Sequence, residues 1–243
     1  MKSDYRKNKH SENKKRKDRD KKEIKLRGKN IQPGRTGKRS LKHKETGVSE
    51  TNGPVNKISF EKPGNFLYPL PAVMVSCAGV DGKPNIITVA WAGTVCTNPP
   101  MLSVSIRKER YSYDLIRETG EFVVNLTNRK LAGAADYCGC RSGRDHDKFA
   151  ECCLTPGKSE HISAPSIQEA PVSIECKVRQ VIPLGSHDMF LAEVLGIQVD
   201  AGYMDEKKTL HLENADLITY SHGKYFTLGN MIGTFGYSVR RKK

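Results

Sequence analysis

The sequence predicts a mainly β domain, an antiparallel barrel with a few short helices, preceded by a disordered basic tail. Three observations predict it: many short β-type runs, tight turn signals joining neighbouring runs, and only two or three helix-like stretches. A doubly wound sheet would need strands alternating regularly with long helices, and that texture is missing.

The tail comes first. Of the 243 residues, numbers 1–46 hold 19 Lys or Arg against 6 Asp or Glu, whereas the remainder holds 22 against 21. Nearly all of the net charge of +14 is therefore carried by one end. Rich in Lys, Asn, Gly and Ser, with few large apolar residues, such a stretch cannot offset the entropy of ordering itself. Residues 1–55 are expected to be a disordered tail and residues 56–243 one folded domain. The tail could contact nucleic acid or another anionic surface, because each cation placed on a phosphate releases counterions. A solvated, solubilising tail is the blander alternative, since acidic residues interrupt the runs. A mitochondrial presequence fits less well, because the cations are mostly Lys and acids are present.

The first sizeable apolar run, Leu70 to Val80, is too late and too interrupted for a signal peptide, and too short for a membrane span. Seven cysteines, an odd number without an export signal, predict reduced thiols and a cytoplasmic setting.

The β-type runs begin after Pro63. Ala72 to Gly79 and Asn85 to Trp91 flank Asp81-Gly82, a favoured hairpin turn, so these runs should pair antiparallel. Next comes Met101 to Arg107, then a helix-like segment from about Tyr113 ending at Gly120, and the run Glu121 to Leu126. Lys130 to Tyr137 reads as helix, and Cys138 to His161 as loop. Val172 to Gly185 and His187 to Asp200 are two long strands joined tightly at Gly185 and Ser186. Asp216 to Gly229 carries a last turn at His222-Gly223.

The stretch after Met101 carries the most chemistry. Strand alternation places Ser103, Ser105 and Arg107 on one face and Leu102, Val104 and Ile106 on the other. Arg110, Tyr111 and Ser112 follow, with Ser112 a plausible N-cap. A helix start beside two arginines is a credible monophosphate site; a capped helix with solvent-exposed arginines is the equal alternative. In the run from Asn85 to Trp91, Asn85, Ile87, Val89 and Trp91 share one face, and Ile86, Thr88 and Ala90 the other. Such a strand could line an aromatic ligand, or be ordinary core with Trp91 as its anchor.

The loop Arg141 to Phe149 brings further cations, Arg141, Arg144 and Lys148. His187 follows a Gly-Ser turn and is either structural or poised beside a ligand. Cys138, Cys140, Cys152 and Cys153 lack the CxxC spacing of zinc or iron–sulfur sites, so no metal is expected. No GxGxxG, GxxxxGK, GxSxG or HExxH motif occurs, which argues against a dedicated dinucleotide domain, a phosphate loop or the common hydrolase sites.

Six segments in order, LYPLPAVMVSCAGVDGKPNIITVAWAG, PPMLSVSIRKERYSYDLI, EFVVNL, ADYCGCRSGRDHDKF, GSHDMFLAEV and YFTLGNMIGTFGYSV, resemble the flavin reductase-like, FMN-binding split-barrel family, in particular the flavoredoxins. The resemblance runs from about Phe60 to the C-terminus. It implies a six-stranded Greek-key split barrel, a homodimer, and one non-covalent FMN per subunit near the dimer interface.

Carried over by position, Asn85, Ile86, Ile87, Thr88, Val89, Ala90 and Trp91 would line the isoalloxazine. Ser105, Ile106, Arg107, Arg110, Tyr111 and Ser112 would hold the ribityl phosphate, and Asp147, Lys148 and Phe149 would close over the flavin. His187 matches a family histidine near the flavin or nicotinamide and is the catalytic candidate. The family commonly has Asp where this chain has Ser186. The implied activity is an NAD(P)H-dependent flavin reductase, the alternative being a flavoredoxin-type carrier reduced by a redox protein partner.

Overall fold

The computed structural model describes residues 56–239; the basic tail expected over 1–55 lies outside them. Strands β1 (Leu70–Pro71), β2 (Val73–Ala78), β3 (Pro84–Val89), β4 (Ala92–Cys96) and β5 (Met101–Ile106) lead into helix α1 (Tyr111–Thr119). Then follow β6 (Glu121–Leu126), α2 (Ala132–Cys140), α3 (Lys148–Glu151) and the two-residue strands β7 (Pro156–Gly157) and β8 (Ser166–Ile167). The long strands β9 (Val172–Pro183) and β10 (Asp188–Val199) and the hairpin β11 (Ile218–Ser221) and β12 (Lys224–Thr227) complete the order.

The principal sheet runs β3-β2-β6-β9-β10-β5-β4, and every pairing in it is antiparallel. Only Ala90 and Trp91 separate β3 from β4, so the two bordering strands are one bent segment and the sheet closes on itself. The Ser105 backbone N–H donates to the Trp91 carbonyl at 2.8 Å, across that bend. Counting the bent segment once leaves six strands, in the Greek-key order of a split barrel. A small sheet, β1-β11-β12, stands apart from the principal one.

The turn chemistry explains the hairpins. Gly82 adopts φ +77° between β2 and β3, and Gly223 adopts +74° between β11 and β12, a region that costs glycine nothing. Leu184 N–H bonds the His187 carbonyl at 3.0 Å to close the β9–β10 hairpin.

Two cores account for the burial pattern. Inside the barrel, Val75, Ile87, Val104, Phe122 and Phe190 pack together with Leu115 and Ile116 of α1. Each such fully buried side chain contributes about 1.5–3 kcal/mol. On the outer face of β2 and β3, Met74 and Ile86 pack against Ala135, Cys138 and Phe149 from α2 and α3. Strand β3 is thus covered on both sides, which is why its sequence lacks a polar face. Asn125, fully buried, donates to the Met74 carbonyl at 3.0 Å and accepts from Ile167 N–H at 2.9 Å, tying β6 to β2 and β8. All seven cysteines are unpaired.

Candidate functional site

The site is built where β5 turns into α1. Arg110 stands at the cap position in extended conformation, and no side chain caps the helix. Its carbonyl already accepts from Tyr113 N–H at 2.9 Å, so the helix is under way at Tyr111. The expectation that Ser112 caps a helix starting near Tyr113 is therefore corrected: Ser112 is the second helical residue. Its hydroxyl accepts from Asn85 Nδ2 at 2.7 Å, buried between α1 and β3. What faces outward is a helix start with backbone N–H groups that no side chain caps, and the positive end of the dipole.

A cleft of about 470 Å³ opens there. It gathers Asn85, Ile87, Arg107, Arg110, Tyr111, Ser112 and Lys148, drawn from three separate stretches of the chain. Glu109, Arg141, Ser142 and Gly143 complete its lining. Arg107 is half exposed and lies 3.4 Å from Glu109 Oε1. Among the described residues Arg110 and Arg141 make no ion pair within 4 Å.

Lys148 is buried, and its ammonium donates to the carbonyls of Ile86 at 2.6 Å and Cys138 at 2.9 Å. Burial pulls its pKa below the ordinary lysine range. The neighbouring Cys77 thiol is pushed up to about 12 by burial, so it is neutral and inert.

The loop from Arg141 to Asp147 is fastened over α1 by Arg144. This side chain donates to the Glu109 carbonyl at 3.2 Å and to Asp114 Oδ2 at 3.0 Å, with its guanidinium 5.2 Å above the Tyr111 ring. Gly143 makes the approach possible: a Cβ there would lie 2.0 Å from Asn85 Oδ1 and 3.0 Å from Tyr111 Cδ1.

A second concavity of about 210 Å³ continues from the cleft, sharing Ile87, Arg107 and Arg110 with it. Thr88, Val89, Ala90 and Trp91 form one side, and Ser105, Ile106 and His187 another. The Thr88 hydroxyl donates to the Ala135 carbonyl at 2.5 Å, so it offers a ligand only lone pairs. The His187 ring lies 4.3 Å from Trp91, centroid to centroid, and its Nδ1 is 3.0 Å from the Ser186 hydroxyl. Burial, with Arg107 nearby, holds the His187 pKa below its ordinary 6.5, so it is neutral at pH 7. Trp91, 37% exposed, is a wall of this groove and not a core anchor.

Three expected site residues do not face these concavities. Ile86 is fully buried under α2 and contributes only its carbonyl, to Lys148. Phe149 is buried in the outer core with Ile86, its side chain lining neither concavity. Asp147 caps α3, its Oδ1 accepting from Ala150 N–H at 3.1 Å. Sequence reasoning missed Glu109, Ser142, Gly143 and Tyr220. Gly143 carried a faint signal, a glycine amid charge; Tyr220 of β11 reaches the groove from so far along the chain that nothing local marks it.

Among the described residues no cluster of His, Cys, Asp or Glu could hold a metal ion, and no helix is long and apolar enough to cross a membrane.

An antiparallel split barrel with a cationic cleft feeding a strand-lined groove defines a class of cofactor-binding barrels. The flavin reductase like domain family matches residues 66–229, and the chain belongs to that family. Among solved structures it is similar to the flavoredoxin of Desulfovibrio vulgaris (Miyazaki F). That likeness is 31% identity over 76% of this chain and 100% of the other, with a TM-score of 0.70. The flavoredoxin of Methanosarcina acetivorans gives 27% identity and a TM-score of 0.69 over the same shares. A curated relative, the FMN reductase (NADH) RutF of Pseudomonas syringae pv. syringae, is 25% identical over 155 residues, 64% of this chain and 78% of that protein.

Proposed function

We propose that residues 56–243 bind FMN without a covalent link and pass electrons through it, as a flavin reductase-type oxidoreductase. The observation that carries this reading is the continuity of the two concavities. An uncapped helix start, with Arg110 in no ion pair among the described residues, opens directly into a groove along Ile87–Trp91.

The residues fit the group. A phosphate dianion suits backbone N–H donors flanked by Arg107 and Arg110, where dipole and charge add. Arg141 brings a third cation. Strand β3 and the bend after it offer a flat surface of backbone and small side chains to the ring system. Bound there, a flavin would supply reversible one- and two-electron chemistry, which no side chain can. The protein's part is to hold the phosphate, orient the rings and keep His187 uncharged beside them. A neutral imidazole can hydrogen-bond a nicotinamide without repelling its positive ring.

The electron donor in this reading is NADH or NADPH, and the active species a homodimer, as the resemblance implies. A second reading is favoured by the charge inventory. The groove's two charged residues, Arg107 and Arg110, are both shared with the cleft, so no separate cation there remains for a dinucleotide's pyrophosphate. In that reading the protein is a flavoredoxin-type carrier reduced by a redox partner.

The visible spectrum of the purified full chain tests the flavin, and anaerobic stopped-flow mixing with NADH or NADPH tests the donor. A colourless protein that takes up no FMN removes the proposal. Bleaching only by a reduced ferredoxin-type protein selects the carrier.

A further inference from the structure

Beyond Trp91 lies another groove, of about 520 Å³, that shares Trp91 and Ser105 with the ring groove. One wall is the strap from Gly64 to Leu70, presenting Phe66, Tyr68 and Leu70; the floor is Ala92 and Gly93 of β4 with Ser103 of β5. No charged residue lines it, in a chain that is 28% charged. We propose that this groove binds a neutral, planar, two-ring aromatic electron acceptor of the quinone class.

Size, shape and charge each lead there. The volume is in the range of small-molecule sites, which are mostly apolar with a few placed polar groups. Aromatic walls over a floor of small residues form a slot for a flat ring. Ser103 and Ser105 lie on the strand face turned away from the barrel core, and their hydroxyls can donate to a quinone carbonyl.

A carboxylate or phosphate would lose its water here without meeting a cation, which is costly. The slot therefore turns away free flavin nucleotides, whose phosphates need the charges gathered in the cleft. The role as acceptor site rests on the flavin reading; binding itself does not. In turnover the quinone would take a hydride equivalent from the reduced cofactor and one proton from water, giving the hydroquinone and the oxidised cofactor.

Trp91 is the only tryptophan in the chain, so tryptophan fluorescence reports the wall that the two grooves share. Gly93 supplies the blocking variant, because a Cβ there meets nothing within 4 Å. Gly93→Phe would fill the slot without disturbing the barrel. The probe is 2,3-dimethyl-1,4-naphthoquinone, which is fully substituted and so does not add to the free thiols.

Equilibrium dialysis against the full chain as purified should give saturable binding that quenches Trp91. Gly93→Phe should weaken it at least tenfold while FMN affinity stays within threefold, and 2-naphthoate should bind at least tenfold more weakly. Equal affinity for quinone and naphthoate, or an unaffected Gly93→Phe, overturns the proposal. So does a Gly93→Phe protein whose sedimenting mass halves, since the groove would then be a contact between copies. Loss of FMN binding with quinone binding intact would sink the flavin reading and leave this site standing.

Discussion

The Lys148 ammonium bridges the carbonyls of Ile86 and Cys138, at 2.6 and 2.9 Å, and so pins α2 and the start of α3 to strand β3 behind the cleft. Ile86 and Cys138 are both fully buried, so their carbonyls lose a donor when the ammonium goes. Lys148→Met would keep the length and remove both donors, so a loss of about 2–4 kcal/mol is expected. Urea unfolding of the full chain measures it; a loss below about 0.5 kcal/mol, the scale of ordinary surface changes, would show the bridge to be incidental.

Arg107→Ala and Arg110→Ala test the phosphate placement. Each should weaken FMN binding by about 1.5–3 kcal/mol, the range for a hydrogen bond to a charged group. Arg110 should be the costlier, because Arg107 is partly engaged by Glu109. Flavin fluorescence titration gives the dissociation constants, and unchanged values would move the phosphate elsewhere.

Gly143→Ala forces a methyl against Asn85 Oδ1 at the 2.0 Å approach. Asn85 must then shift, breaking its bond to Ser112 and lifting the loop from α1. A destabilisation of about 1–3 kcal/mol is expected for such overpacking, together with weaker FMN binding. Thermal unfolding with and without FMN checks both; Gly133→Ala, where a Cβ meets nothing within 4 Å, is the control.

Acid stability should depend on Asp188. Its Oδ2 accepts from the Tyr113 hydroxyl at 2.6 Å, Lys108 Nζ lies 3.4 Å from Oδ1, and Arg117 donates to the same tyrosine at 3.2 Å. The Tyr113 bond, with Lys108 and Arg117 behind it, holds the carboxyl below its ordinary 3.8. A depressed carboxylate contributes stability that is fully present above that ordinary value and is lost as pH falls through the folded one. Asp188→Asn should therefore be less stable than the parent at neutral pH, with the gap closing below about pH 4. Urea midpoints across that range decide it; a gap independent of pH would rule the linkage out.

Local signals carried most of the fold. Asp81-Gly82 and His222-Gly223 announced two hairpins, and the Leu102, Val104, Ile106 alternation announced β5, because turn conformation and strand period are properties of neighbouring residues. The cleft was legible where its parts lie together, at Arg107, Arg110 and Tyr111. It failed where contact is long-range. Ser112 looks like a cap by type, yet Asn85, 27 positions away, claims its hydroxyl. Phe149 follows a run of charged residues in the sequence, and only the placement of Met74 and Ile86 reveals that it is core.

The bend at Ala90 and Trp91 gives the barrel a seam, since a single length of chain serves as both margins of the sheet. Anything lodged along that seam acts as a rivet. Occupancy should raise the cost of prying the margins apart, and amide hydrogens flanking the bend should exchange more slowly in the loaded protein than those at the far ends of β9 and β10.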